Sequence, residues 1–436
     1  MGRKRSGSVD RPEVMALLRA CKEALDDDAP RLALADWLEA HGEPERGAFI
    51  RLQCRHARME LCDQPQLGAV TRRMMDLSEQ HAQTWLGAFA FRNRNVFHRG
   101  LIALGSGLGG GGLSVKDFLH PKRQQLAGTE AGMWVESFKP SLWEWLREKP
   151  WSFLNAPLLA DVAVLDLSRL RLGKADVVRL GRSPKLAGLR GLHLGSSFYE
   201  AGTLEALVAG DGLTSLQALD LSIDWLGFLQ AKRLAKWPRL GQMRVLNLAG
   251  NDLGSAGVAA LAAAPLGNLR RLNLQSCKLR DASACALAKA PLDNLTWLYL
   301  LHNNIDSRGV IALARSPHLA QLTYLDLSVY LAEVGAGDAG AEALAGSPSM
   351  SNLEHLGLVE NSVGDAGALA LARSPHLTRL RRLNLCHNQV ADRGALALAG
   401  SPNLEGIAVL DLRSNPIGSR AQAALRARFG RRVRLD

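Results

Sequence analysis

The residues of this 436-residue chain that could do chemistry are a glycine string, eleven histidines, six cysteines and a set of aromatic and arginine side chains. Gly105-Ser106-Gly107-Leu108-Gly109-Gly110 follows the apolar Leu101–Leu104 and fits GxGxxG. That pattern cradles a dinucleotide pyrophosphate only when it joins a strand to a helix inside a βαβ unit. Here more glycine follows, then repeats, so the string reads as a loop. The histidines form no HExxH and no ligand spacing, and His318 and His376 fill one Ser-Pro-His-Leu slot of two repeats. None of Cys21, Cys54, Cys62, Cys277, Cys285 and Cys386 makes a CxxC pair, so they read as reduced, mostly buried thiols of a cytoplasmic protein. Asp36 and Glu39 flank Trp37, a pairing that reads as capping and packing rather than acid chemistry. With no P-loop and no GxSxG either, the chain is read as a non-enzyme without cofactor or metal.

A binding site has better candidates. Trp297, Tyr299, Leu301, Tyr324, His355 and Tyr330, with Arg271 and Arg382, are of the types that dominate interface hot spots. Three of the four tyrosines fall in this set. What would bring these residues together is a repeat. Leu-x-Leu recurs with its first leucine at Leu165, Leu192, Leu219, Leu246, Leu272, Leu298, Leu325, Leu356, Leu383 and Leu410, at spacings of 27, 27, 27, 26, 26, 27, 31, 27 and 27 residues. Five residues on stands Asn251, Cys277, Asn303, Asn361, Asn388 or Asn415 in six units, and two later an aliphatic. The first three units have Leu170, Ser197 and Asp224 at the asparagine position, and the unit at Leu325 has Tyr330 and four extra residues.

Each unit reads as a strand, a turn and a helix. Alternate strand residues face opposite sides, which sends the leucines inward and their neighbours to the open face of the sheet. The asparagine turns the chain and satisfies backbone groups. Gly337-Asp338, Gly364-Asp365 and Asp306-Ser307 suit helix starts, with Asp or Ser as N-cap. Ser-Pro at 316–317, 347–348, 374–375 and 401–402 stops the helices. Stacked units place equivalent residues roughly 5 Å apart, so the column before the first leucine runs Arg271, Trp297, Tyr324, His355, Arg382.

The pattern resembles the leucine-rich-repeat signature LxxLxLxxNxL in its longer, ribonuclease-inhibitor-like form, over about two-thirds of the chain. The resemblance implies an α/β solenoid of about ten repeats, with a parallel concave β-sheet and convex helices, over 161–436. Ahead of it, 1–10 reads as a disordered basic tail, in which Met1, Gly2 and Ser6 fit the loose myristoylation pattern and no apolar run makes a secretory signal. Residues 11–95 read as a small all-α domain with an extension. Its helices cover Arg11–Leu25, Leu32–Leu38 and a stretch opened by Pro44. The string from Arg31 to Arg46, with Ala48-Phe49-Ile50-Arg51-Leu52-Gln53, resembles the repeat-companion domain found ahead of leucine-rich repeats in some bacteria. Residues 96–160 read as irregular capping repeats with the glycine loop. Strands are expected at Val96–Leu104 and Met133–Phe138, and a core of Trp134, Trp143, Trp145 and Trp151.

Net charge is +11, with the basic excess densest at Arg420, Arg426, Arg428, Arg431, Arg432 and Arg434. No run approaches the length of a membrane helix. The expected function is a protein-interaction scaffold binding on the concave face of repeats 5–9. The alternative is a nucleic-acid or ribosome-associated binder using the basic C-terminal end and the concave arginines.

Overall fold

The computed structural model describes residues 10–58, 64–89, 97–99, 101–104, 113–148, 150–198, 200–330 and 335–436. The glycine string, Met1, Gly2 and Ser6, Cys62, Val96 and the side chain of Trp143 lie outside that set. The chain divides into two compact units, 1–200 with 209–218, and 201–208 with 219–436.

In the first unit, helices run Pro12–Glu23, Ala29–Ala40 and Pro44–Arg58, close to the expected positions, with a fourth at Gln64–Leu86. Asp36 and Glu39 both pair with Arg51 of the third helix, and Trp37 stacks on His41 at 3.9 Å. Strands β1 (Phe97–His98) and β2 (Leu101–Leu104) are antiparallel. β3 (Val135–Phe138), β4 (Val164–Asp166) and β5 (Gly191–His193) then follow in parallel. Of the four tryptophans, Trp145 and Trp151 meet edge to face at 4.7 Å. Trp134 instead lies under the Arg46 guanidinium, 3.4 Å from its ring centre.

The second unit is the regular solenoid. β6 (Ala218–Asp220), β7 (Val245–Asn247), β8 (Arg271–Asn273), β9 (Trp297–Tyr299), β10 (Tyr324–Asp326), β11 (His355–Gly357), β12 (Arg382–Asn384), β13 (Val409–Asp411) and β14 (Val433–Arg434) lie in chain order. From β7 to β14 every neighbouring pair is parallel and in register. Counting β4 and β5, each of the ten repeats begins its strand one residue before its first leucine. The leucine is buried and its neighbours face the open side of the sheet. Helices return on the other side and stack on one another. This is the α/β solenoid, with parallel strands inside and helices outside.

What ties one repeat to the next is polar. Asn251, Asn303, Asn361, Asn388 and Asn415 each accept backbone N–H bonds from the preceding repeat and donate to carbonyls of both. Where the asparagine is missing, Cys277 Sγ reaches Leu248 O and Ser197 Oγ reaches Leu167 O. Tyr330 does not take that slot: its ring is half exposed, 6.3 Å from His302.

Two expectations need correction. Asp306 caps its own helix, but Asp338 and Asp365 cap the next repeat's helix. Asp338 Oδ1 accepts from Gly364 N and Gly367 N at 2.7 and 2.8 Å, and Asp365 Oδ1 from Ala391 N and Gly394 N at 2.9 and 2.7 Å. The glycine of each helix start allows that approach, since a Cβ on Gly367 would sit 2.7 Å from Asp338 Oδ1. The Ser-Pro pairs also do more than stop helices. Pro317, Pro348 and Pro402 each open a short 3-10 turn, and Ser316 and Ser401 donate to Ala288 O and Ala372 O of the preceding repeat, both at 2.6 Å. Helix ends that would leave orphan groups are thus satisfied from the neighbouring repeat.

Candidate functional site

The expected column forms one continuous stack. β9, β10 and β11 pair in register, Trp297 opposite Tyr324 and Tyr324 opposite His355. Parallel strands lie about 4.8 Å apart, which is close to the stacking distance of aromatic planes. Trp297 and Tyr324 stack at 4.6 Å with planes 2° apart, and Tyr324 and His355 at 4.2 Å and 4°. Arg271 caps one end, its guanidinium 4.8 Å from the Trp297 ring centre, and Arg382 stands opposite His355 on β12. Tyr299 leans on both Trp297 (5.9 Å) and Tyr324 (4.6 Å).

Seven of the eight expected residues therefore belong to this face, with Leu301 half-buried one strand end away; Tyr330 sits apart, against His302. The stack hides its own centre. Tyr324 and His355 are only 6% and 7% exposed because each ring covers the next. Trp297, Tyr299, Arg271 and Arg382 are only partly buried.

The position between the two leucines has a structural duty that sequence alone does not display. In seven of the ten repeats it is Asp or Asn, and its oxygen accepts the N–H two residues on, closing the strand end: Asp166, Asp220, Asn247, Asn273, Asp326, Asn384 and Asp411. Tyr299 and Gly357, either side of Asp326, give that bond up in the middle of the aromatic face.

The arginine-rich end is largely engaged with the last repeats. Arg428 donates to Ser401 O at 2.9 Å, and Arg432 to Glu405 O and Ile407 O at 2.9 and 3.0 Å. Arg434 and Arg413 both face the buried Asp411.

Cys21, Cys54 and Cys277 are poor nucleophiles in the folded chain. Burial pushes Cys21 and Cys54 up to about 12 and Cys277 to about 11, far above the ordinary thiol range. No disulfide joins the described cysteines, and among the described residues no group of three His, Cys, Asp or Glu is placed to hold a metal. A thiol reagent added at pH 8 without reductant is expected to modify Cys21, Cys54 and Cys277 slowly in the folded protein. All six cysteines should react within the same time in denaturant. Fast labelling of the three under native conditions, or fewer than six thiols after unfolding, would contradict this.

Three segments, residues 243–262, 349–372 and 376–399, match the family described as Leucine Rich repeat. No curated protein gives a significant sequence match. Among solved structures, a chain of the yeast Rad7 and Elc1 complex is 14% identical, with 98% of each chain covered and a TM-score of 0.52. An internalin of Listeria monocytogenes is 18% identical (62% of this chain, 86% of that chain, TM-score 0.34). A chain of the latrophilin 3, Unc5D and FLRT2 complex is 17% identical (61% and 73%, TM-score 0.38). The repeats are leucine-rich repeats.

Proposed function

We propose that the chain is a non-catalytic interaction scaffold that binds a protein partner on the concave face of repeats 5–9, centred on Trp297, Tyr299, Leu301 and the edges of Tyr324 and His355. The observation that carries this reading is Tyr299. A fold that in seven of its ten repeats uses an Asp or Asn there to close its strand end places a partly exposed tyrosine in the middle of a pre-stacked aromatic row. Rings held in place by their neighbours lose little freedom on binding, and arginine and aromatic anchors are the types that dominate interfaces. The chain of similar fold in the yeast Rad7 and Elc1 complex belongs to a protein assembly. The nucleic-acid alternative is weaker, because Arg428, Arg432 and Arg434 already serve the carbonyls and carboxylate of the terminal repeats. This reading takes the three N-terminal helices as a bacterial repeat-companion domain, the repeats as ribonuclease-inhibitor-like, and the location as cytoplasmic. No helix among the described residues is long and apolar enough to cross a membrane.

Tyr299→Asn tests the site with a residue the fold prefers. It restores the strand-end bond, so the thermal midpoint is expected to hold or rise. Partner retention on the immobilised chain, from nuclease-treated lysate, should fall by about tenfold or more. Trp297→Ala should act alike on retention. Unchanged retention in both variants would remove the concave face as the site, and loss only after nuclease treatment of the wild type would favour nucleic acid.

A further inference from the structure

The largest exposed apolar group among the described residues lies elsewhere, at the turn of repeat 3. Trp225 is 88% exposed, Ile223 56%, and Phe228 and Leu229 about half. Most other repeats carry polar or small residues at the positions of Trp225 and Ile223. The counterparts of Trp225, six residues after the first leucine, are Asp252, Lys278, Asn304, Ser362 and Gln389 in five repeats, while repeats 2 and 7 have Phe198, which is buried, and Leu331. The counterparts of Ile223 are Arg169, Ser196, Gly250, Ser276, His302, Glu360, His387 and Ser414, all at positive φ, and Val329, which is buried and is not. Ile223 itself has φ 57° and Trp225 φ 56°. A β-branched residue in the left-handed region is strained, so folding alone would select against Ile223, and its exposed side chain gains little from packing.

Next to this turn the sheet edge is recessed. Trp225 and Phe228 form one wall of a groove of about 760 Å³, and Ser276 and Lys278 of repeat 5 the other. The floor is repeat 4: Gly250, Asn251, Asp252, Leu253 and the first turn of the helix Gly254–Ala262. The Cβ that Gly250 lacks would meet Ile223 Cγ1 at 2.9 Å, so repeat 4 is low because its neighbour leans over it. The nine-residue helix begins at the groove, where Gly254, Ser255 and Ala256 line it and bring the positive end of its dipole there. Lys278 stands on the rim, paired with Asp252 at 2.6 Å. Behind Phe228, the outer face of the helix Phe228–Leu234 continues in exposed Lys232 and Arg233, then Lys236; Arg233 pairs with Glu205 at 3.1 Å. Basic side chains outnumber acidic ones around the apolar wall.

We propose that this groove is a second docking surface, which takes an extended acidic segment of a protein partner. A large apolar side chain of that segment packs against Trp225 and Phe228. A neighbouring carboxylate meets the helix N-terminus and Lys278, and further carboxylates face Lys232 and Lys236. An anionic bilayer is the other occupant an exposed tryptophan beside lysines suggests. The groove favours a peptide: it is a cleft of about 760 Å³ whose floor at Leu253 and the helix start an extended chain can reach and a flat bilayer surface cannot. The inference is independent of the concave site.

The test pans a phage library of random peptides of about twelve residues on the full chain and measures synthetic fluorescent copies of the winners by anisotropy. Recovered peptides should place Asp or Glu beside Leu, Phe or Trp. Trp225→Ala or Phe228→Ala should weaken them by about tenfold or more, Lys278→Ala by a few-fold, and Tyr299→Asn not at all. Ile223→Asn relieves the backbone strain, so it should raise the thermal midpoint by about 2 °C while weakening the peptides. Peptides without acidic residues, peptides indifferent to Trp225→Ala, or an Ile223→Asn variant that binds as well as the wild type would overturn the proposal. So would Trp225-dependent sedimentation with phosphatidylserine vesicles, which would assign the surface to a membrane.

Discussion

Glu136→Gln is expected to destabilise the N-terminal unit by about 3 to 5 kcal/mol, the cost of leaving a buried charge without its counter-ion. Arg31 is fully buried and Glu136 1% exposed. The guanidinium pairs with one carboxylate oxygen, and His98 Nδ1 bonds the other at 2.8 Å. Arg31 also donates to Ala24 O and Asp27 O at 3.2 and 2.9 Å, which fixes the turn between the first two helices onto β3. Burial by itself would push the Glu136 carboxyl up; Arg31 and His98 outweigh it and hold the group down at about 2. The sign follows. The unfolded carboxyl titrates near the ordinary value, the folded one lower, so its contribution is fully present above about pH 4.5 and is lost as pH falls towards 2. In Glu136→Gln that part of the acid slope should vanish along with the stability. Amide exchange in Pro12–Glu23 and Ala29–Ala40 reads the effect locally. Arg31→Met with Glu136→Met should recover most of the loss, because an apolar pair leaves no charge to solvate. A single variant near neutral would mean that water reaches Arg31 and that the pair does not hold the unit together.

How much of this was legible in the sequence depended on whether the cause lay along the chain or across it. The leucine spacing set all ten strands, because alternation and period are local. The columns followed from it, and with them the meeting of Arg271, Trp297, Tyr324 and His355. The depth of Tyr324 and His355 did not follow, since it depends on how flat rings at strand spacing cover one another. Asp338 and Asp365 read as caps of their own helices because a sequence shows a helix start and not the helix beside it. Arg31 and Glu136 stand 105 residues apart, and no motif links them. Trp225 and Ile223 carry a partial signal: four and six residues after the first leucine most repeats have polar or small residues, with Phe198, Val329 and Leu331 the other large apolar ones, and the sequence does not show that Phe198 and Val329 are buried while Trp225 is open.

Asn303→Ala should destabilise the solenoid by about 3 kcal/mol or more, although it removes one small side chain. Asn303 is 3% exposed. Its Oδ1 accepts from Cys277 N and Leu279 N, both at 3.0 Å, and its Nδ2 donates to Leu274 O and Leu300 O at 2.9 and 2.8 Å. Alanine would leave four backbone groups at the junction of two repeats to find water, and each buried group left unsatisfied costs roughly 1 to 3 kcal/mol. A solenoid repeat is stable only against its neighbours, so loss at one junction lowers the cooperativity of the array as well as its midpoint. Asn304→Ala, exposed and one residue on, should stay within about 0.5 kcal/mol. The protein holds its own partial version of the experiment at Cys277, where a thiol reaches Leu248 O at 3.1 Å in place of an amide. Cys277→Asn should therefore stabilise by about 1 kcal/mol, the net worth of a hydrogen bond regained. Urea midpoints and exchange at the Cys277 and Leu279 amides measure both changes. If Asn303→Ala cost less than about 1 kcal/mol while Leu298→Ala cost the roughly 2 to 5 expected of a core leucine, the repeats would be joined by leucine packing alone. The asparagine would then serve the shape of the turn and not the strength of the junction.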